Sequence, residues 1–171
     1  MRNLLLLPFL ILGLGSLTAQ DNISLLSQVT FDENLSNVWG WTSSDGSEYV
    51  ILGTFDGTYL IDISDPASPV ELQFIDGSNS TWRQIAEWNG YAYVVNETAD
   101  GLLCIDLHDL PGTADYTFSD GGAGLVEAHQ VWADENGIVY VFGSNLYGGS
   151  TVMFDASADP MDPVFLGATD T

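Results

Sequence analysis

The chain writes one unit three times, and the unit leaves little choice of fold. In the first copy Asp45-Gly46 precedes the apolar run Tyr49-Val50-Ile51-Leu52-Gly53, then Asp56-Gly57, then Leu60-Ile61-Asp62-Ile63. The second copy runs Asn89-Gly90, Tyr91-Ala92-Tyr93-Val94-Val95, Asp100-Gly101, Cys104-Ile105-Asp106-Leu107; the third runs Asn136-Gly137, Ile138-Val139-Tyr140-Val141-Phe142, Gly148-Gly149, Met153-Phe154-Asp155. Asp-Gly and Asn-Gly accept the positive φ angles of tight hairpin turns, so each copy reads as short strands joined by turns. The matched aspartates Asp62, Asp106 and Asp155 stand 44 and 49 residues apart. That interval is close to the ~40–45 residues of a four-stranded propeller blade.

Strands are expected at about 37–42, 49–53, 58–63 and 70–75, then 83–88, 91–96, 102–107 and 116–119, then 129–133, 138–143, 151–154 and 164–166. These runs are rich in Val, Ile, Tyr, Phe and Trp, and no helical period competes with them. The fold class is therefore all-β: β-propeller blades, about three four-stranded antiparallel repeats over 35–77, 80–120 and 125–167. Three blades fall short of the 4 to 8 of a closed propeller. The expectation is an incomplete ring over 35–171, belonging to the N-terminal portion of a longer protein and prone to associate through its uncovered edge.

Ahead of the repeats, Arg2 is followed by an uncharged apolar run from Leu4 to Leu17 and by Thr18-Ala19-Gln20. This is the layout of a signal peptide over 1–19, with 20–34 as a lead-in segment. The run is shorter than the ~20 residues of a spanning helix, so the mature chain is expected to be secreted or displayed at the cell surface, with no membrane insertion after signal removal. It would keep Arg83 as its only basic residue against 24 acids, and the formal net charge of the whole chain is −22. Such a surface repels phosphate backbones, which excludes nucleic acid as a partner. The single Cys104 allows no intrachain disulfide; its apolar neighbours Leu103 and Ile105 make it a core residue.

Asn37-Val38-Trp39-Gly40-Trp41-Thr42 with Glu48-Tyr49, Gly57-Thr58 and the run Asp62-Ile63-Ser64-Asp65-Pro66-Ala67-Ser68-Pro69-Val70 resembles the first repeat of the choice-of-anchor B family, whose repeats are of the LVIVD propeller type. Trp82-Arg83-Gln84-Ile85 and Tyr93-Val94-Val95-Asn96-Glu97 resemble its second repeat, and Ala128-His129-Gln130 with Asp159-Pro160-Met161-Asp162-Pro163 resembles its third. The likeness covers residues 35–167. It implies an exported propeller with a C-terminal anchoring signal that varies between members, and it implies no catalytic residues.

In a propeller the first strand of each blade lines the central channel. Counted back from the turns at Asp45, Asn89 and Asn136, the residues Trp39, Arg83 and His129 occupy near-equivalent places, which predicts that they converge on the channel mouth. A cation, an imidazole and an aromatic face could there bind a carboxylate or a sugar ring. Glu97 is expected beside Arg83 as its ion-pair partner, because pairing across Asn89-Gly90 brings the two strand ends together. Asp155, Asp159 and Asp162 are weak calcium candidates: closely spaced loop carboxylates suit a hard cation, but they lack the Asp-x-Asp-x-Asp-Gly spacing of a calcium loop, and Asp-Pro pairs also start turns without metal. No other cofactor is suggested.

These features read together as an exported, non-enzymatic propeller module that binds an extracellular protein or polysaccharide. The alternative is a propeller-type hydrolase or lyase with part of its catalytic set in blades beyond these.

Overall fold

The computed structural model describes residues 23–169. The expected signal segment, Arg2 included, lies outside them. Within the described residues, twelve strands form three four-stranded antiparallel sheets, each in simple sequence order. The first contains β1 (Leu35–Thr42), β2 (Glu48–Thr54), β3 (Gly57–Asp62) and β4 (Val70–Asp76). The second contains β5 (Arg83–Trp88), β6 (Tyr91–Asn96), β7 (Leu102–Asp106) and β8 (Tyr116–Ser119). The third contains β9 (Gln130–Ala133), β10 (Ile138–Phe142), β11 (Val152–Asp155) and β12 (Val164–Ala168). One 3-10 turn at Tyr147–Gly149 is the sole helical element among the described residues. This is an all-β, propeller-like array of blades, and no barrel closes.

Local chemistry accounts for the strand ends. Asn89 and Gly90 both take positive φ, 51° and 79°, the requirement of the two-residue turn that matches strand twist; β5 and β6 therefore pair without a gap from Trp88↔Tyr91 to Arg83↔Asn96. The three matched aspartates are the last residues of β3, β7 and β11, opposite Tyr49, Tyr91 and Ile138. Each accepts the backbone N–H two residues on: Ser64 to Asp62 at 2.8 Å, His108 to Asp106 at 3.0 Å, Ser157 to Asp155 at 2.8 Å. The repeated Asp is thus an Asx-turn that ends the third strand and aims the chain at the fourth. At Asp155 the Ser157 hydroxyl and N–H together hold the carboxyl below its ordinary pKa.

Burial follows strand alternation. One face of the first sheet, with Tyr49, Ile51 and Leu60, packs on Ile85, Ala92, Val94, Leu103 and Ile105 of the second. The other face of the second sheet, with Tyr93, Val95, Leu102 and Cys104, packs on Val131, Val139, Val141 and Phe154 of the third. β6 is consequently apolar on both faces, whereas β10 alternates buried and half-buried residues. Phe31 of the lead-in segment lies on the far side of the first sheet, where it meets Tyr59 with ring centroids 4.9 Å apart.

Cys104 has no exposed surface, and burial pushes its thiol well above the ordinary cysteine pKa. Because the thiolate is the reactive species, the folded chain is expected to resist labelling by a thiol reagent such as 5,5′-dithiobis(2-nitrobenzoate) and to react stoichiometrically only in denaturant. Rapid labelling in the native state would contradict this packing.

Candidate functional site

The first strands of the three sheets are neighbours, with β5 in contact with both β1 and β9. At the start of β5, Arg83 is opposite Asn96. His129 occupies the corresponding place before β9: its N–H donates to the Phe142 carbonyl at 3.0 Å, and a Cβ on Gly143 would stand 3.0 Å from its own Cβ. Arg83 and His129 are therefore equivalent by strand register. Trp39 is not their counterpart. It pairs with Ile51, as Ala86 pairs with Tyr93 and Trp132 with Tyr140, which puts Trp39 farther along its strand and partly buried against the core between the first two sheets. Counting back from Asp45 misplaces it because the loop between β1 and β2 spans residues 43–47 and β1 carries a register shift between Leu35 and Val38.

Arg83 is only 2% exposed. Its side chain crosses from the second sheet to the first: Nε donates to the Thr54 carbonyl at 3.0 Å and an Nη to the Ser78 carbonyl at 2.7 Å. A Cβ on Gly53 would lie 3.2 Å from the Arg83 Cβ, so the glycine makes room for the crossing. Backbone N–H of Arg83 in turn donates to the Ser36 hydroxyl at 2.8 Å. Burial lowers the guanidinium pKa, and the nearby charges of Asp100, Glu33, Asp56 and Asp76 act against that shift. Asp100 is tied to the same segment, accepting the Ser78 N–H at 2.6 Å and the Ser78 hydroxyl at 2.8 Å. The expected Arg83–Glu97 pair does not form. The guanidinium donates to two carbonyls instead, and the Glu97 carboxylate meets the His129 Nδ1.

What remains at the starts of β5 and β9 is a surface of three side chains. Glu97 and His129 are bonded to each other and open to solvent. Trp82 is 51% exposed, with its ring centroid 6.3 Å from that of His129. Trp82 was not singled out from the sequence as a site residue; its place directly before a strand whose first residue turns inward was the available signal, since alternation sends the preceding side chain outward. The arrangement offers an aromatic face, an imidazole and a carboxylate in the open, with the cation withdrawn behind them. It suits stacking and hydrogen bonding to hydroxyl groups more than capture of a carboxylate.

The calcium candidates are directed to separate partners. Asp155 caps its own turn through Ser157, Asp159 accepts the Met161 N–H at 3.0 Å, and Asp162 accepts the Ser119 hydroxyl at 2.7 Å. Among the described residues no group of three or more His, Cys, Asp or Glu side chains is placed to hold a metal ion. No helix there is long and apolar enough to cross a membrane.

Comparison of the chain with protein-family models, with curated proteins and with solved structures gives no match.

Proposed function

We propose that this chain is an exported propeller-type repeat module, of the choice-of-anchor B kind, that binds an extracellular polysaccharide or protein without chemically altering it. The observation that carries the reading is the open mouth at the inner strands, where the half-exposed Trp82 ring lies beside the paired Glu97 and His129. Aromatic faces with adjacent polar groups recognise partners that are part apolar and part hydrogen-bonding. The N-terminal pattern of Arg2 and the run to Leu17 supports export, and the acidic composition supports a partner that is neutral or cationic;.

Isothermal titration of the chain with neutral extracellular polysaccharides tests the reading. Trp82→Ala and His129→Ala are each expected to weaken binding at the mouth by at least about tenfold, the loss of one stacking or charge-assisted contact, with the melting temperature nearly unchanged. Release of reducing ends during the titration would instead support a hydrolase, for which the imidazole–carboxylate pairs His129–Glu97 and His108–Asp106 are the structural basis.

A further inference from the structure

The two packed interfaces between sheets share their strand register, and at the end of β5 away from Arg83 they are filled differently. Between the second and third sheets, Trp88 at the end of β5 covers the turn at Asn136-Gly137. A Cβ on Gly137 would stand 2.8 Å from the Trp88 ring, and the indole Nε1 donates to the Glu135 carbonyl at 3.2 Å. Strand register equates Trp88 with Trp41, because each is opposite the tyrosine that also pairs with the turn-forming Asp: Trp41↔Tyr49↔Asp62 and Trp88↔Tyr91↔Asp106. It likewise equates the turn at 136–137 with Asn89-Gly90.

Between the first and second sheets the tryptophan does not cover the turn. The space above Gly90 is taken by the His108 ring, whose Nε2 would be 2.6 Å from a Cβ there. Trp41 instead stacks on Tyr49, ring centroids 5.6 Å apart and planes 29° apart. A cleft of about 540 Å3 opens between Trp41 and the turn, at the opposite end of β5 from the mouth. Glu87, Asn89, His108 and Ser44 line it.

We propose that this cleft is a binding site for a neutral saccharide. Its polar groups are held in place from behind. The Gly90 N–H donates to Glu87 Oε1 at 2.6 Å, which orients the carboxylate and leaves its second oxygen to accept ligand hydroxyls. Asp106 Oδ1 lies 2.6 Å from His108 Nδ1 and packs the imidazole edge-on against Tyr91, centroids 5.0 Å apart. The partly buried Trp41 ring leaves an apolar edge at the cleft against which the C–H face of a pyranose can pack, while Asn89 and Ser44 add exposed amide and hydroxyl groups. Preoriented acceptors around an aromatic wall match a ligand that is hydroxylated at its rim and apolar on its faces. The volume is within the ~300–1,000 Å3 of small-molecule sites. The chain's net charge of −22 selects against anionic sugars;.

This inference rests on the binding-module reading but concerns a second site, and the test separates the two. The five tryptophans give indole N–H signals that are followed by NMR while cellopentaose, maltopentaose, xylopentaose and mannopentaose are titrated in turn. At least one pentasaccharide is expected to shift the Trp41 signal saturably, Glu87→Gln to raise its Kd at least tenfold, and Trp132→Ala, on the far face of the third sheet, to leave the titration unchanged. Reading Trp41 in the native chain keeps the test valid even where Trp41→Ala fails to fold. A shift confined to Trp82 would overturn the cleft proposal and leave the binding-module reading standing. No shift at any indole with all four sugars would overturn the cleft proposal. A shift of Trp41 by tetramethylammonium but by no sugar would overturn it in favour of a cation site.

Discussion

Arg83→Met is expected to destabilise the chain by about 3–5 kcal/mol, because a buried and a half-buried carbonyl lose their donor and a nearby carboxylate loses its counter-charge;. The Thr54 and Ser78 carbonyls are served by the guanidinium at 3.0 and 2.7 Å, and methionine can donate to neither. For a domain of this size the loss corresponds to a fall in Tm of about 10 °C. Glu97→Gln on the Arg83→Met background should restore nothing, since Glu97 is bonded to His129. Thermal melting of the single and double variants checks both statements. A loss below about 1 kcal/mol for the single variant, within the range of ordinary surface changes, would contradict the clamp between the first and second sheets.

Gly121→Ala carries the second large effect. Gly121 has φ 64°, and a Cβ there would stand 2.1 Å from Cε1 of Phe154. Phe154 has no exposed surface and packs against Phe165, ring centroids 5.8 Å apart, so it has no free direction in which to yield. The left-handed backbone costs about 1 kcal/mol for alanine, and forcing a methyl group into a packed core adds about 1–3 kcal/mol. The neighbour supplies the control. Gly122 has nearly the same φ, 67°, but nothing within 4 Å of its added Cβ, so Gly122→Ala should lose only the backbone cost. Denaturant unfolding of the two variants should therefore separate them by more than about 1 kcal/mol. Equal losses would mean that Phe154 is not where the structure has it.

The blades were legible because their punctuation is local. Asp-Gly and Asn-Gly turns, and an Asp ending each third strand, act through backbone geometry within a few residues. A reader of the sequence can place Asp62, Asp106 and Asp155 without knowing any tertiary contact. The site was less legible because it depends on register and on what lies across a sheet interface. Trp39 was misplaced by a five-residue loop and a register shift in β1, features that spacing alone does not distinguish from a two-residue turn. Charge points to a carboxylate partner for Arg83, but its side chain crosses to the carbonyls of Thr54 in the first sheet and Ser78 just beyond it. The cleft beside Trp41 was invisible for the same reason: it arises from His108 occupying the place that a tryptophan fills in the next interface.

Affinity electrophoresis through gels containing a neutral extracellular polysaccharide, with the polymer's chain length measured before and after, distinguishes binding from turnover. For a binding module, migration of the intact chain is expected to be retarded by at least one such polymer, the retardation to diminish in Trp82→Ala, and the polymer's length to stay unchanged. Unretarded migration through every polymer together with no captured extracellular protein partner, or retardation accompanied by shortening of the polymer, would contradict it.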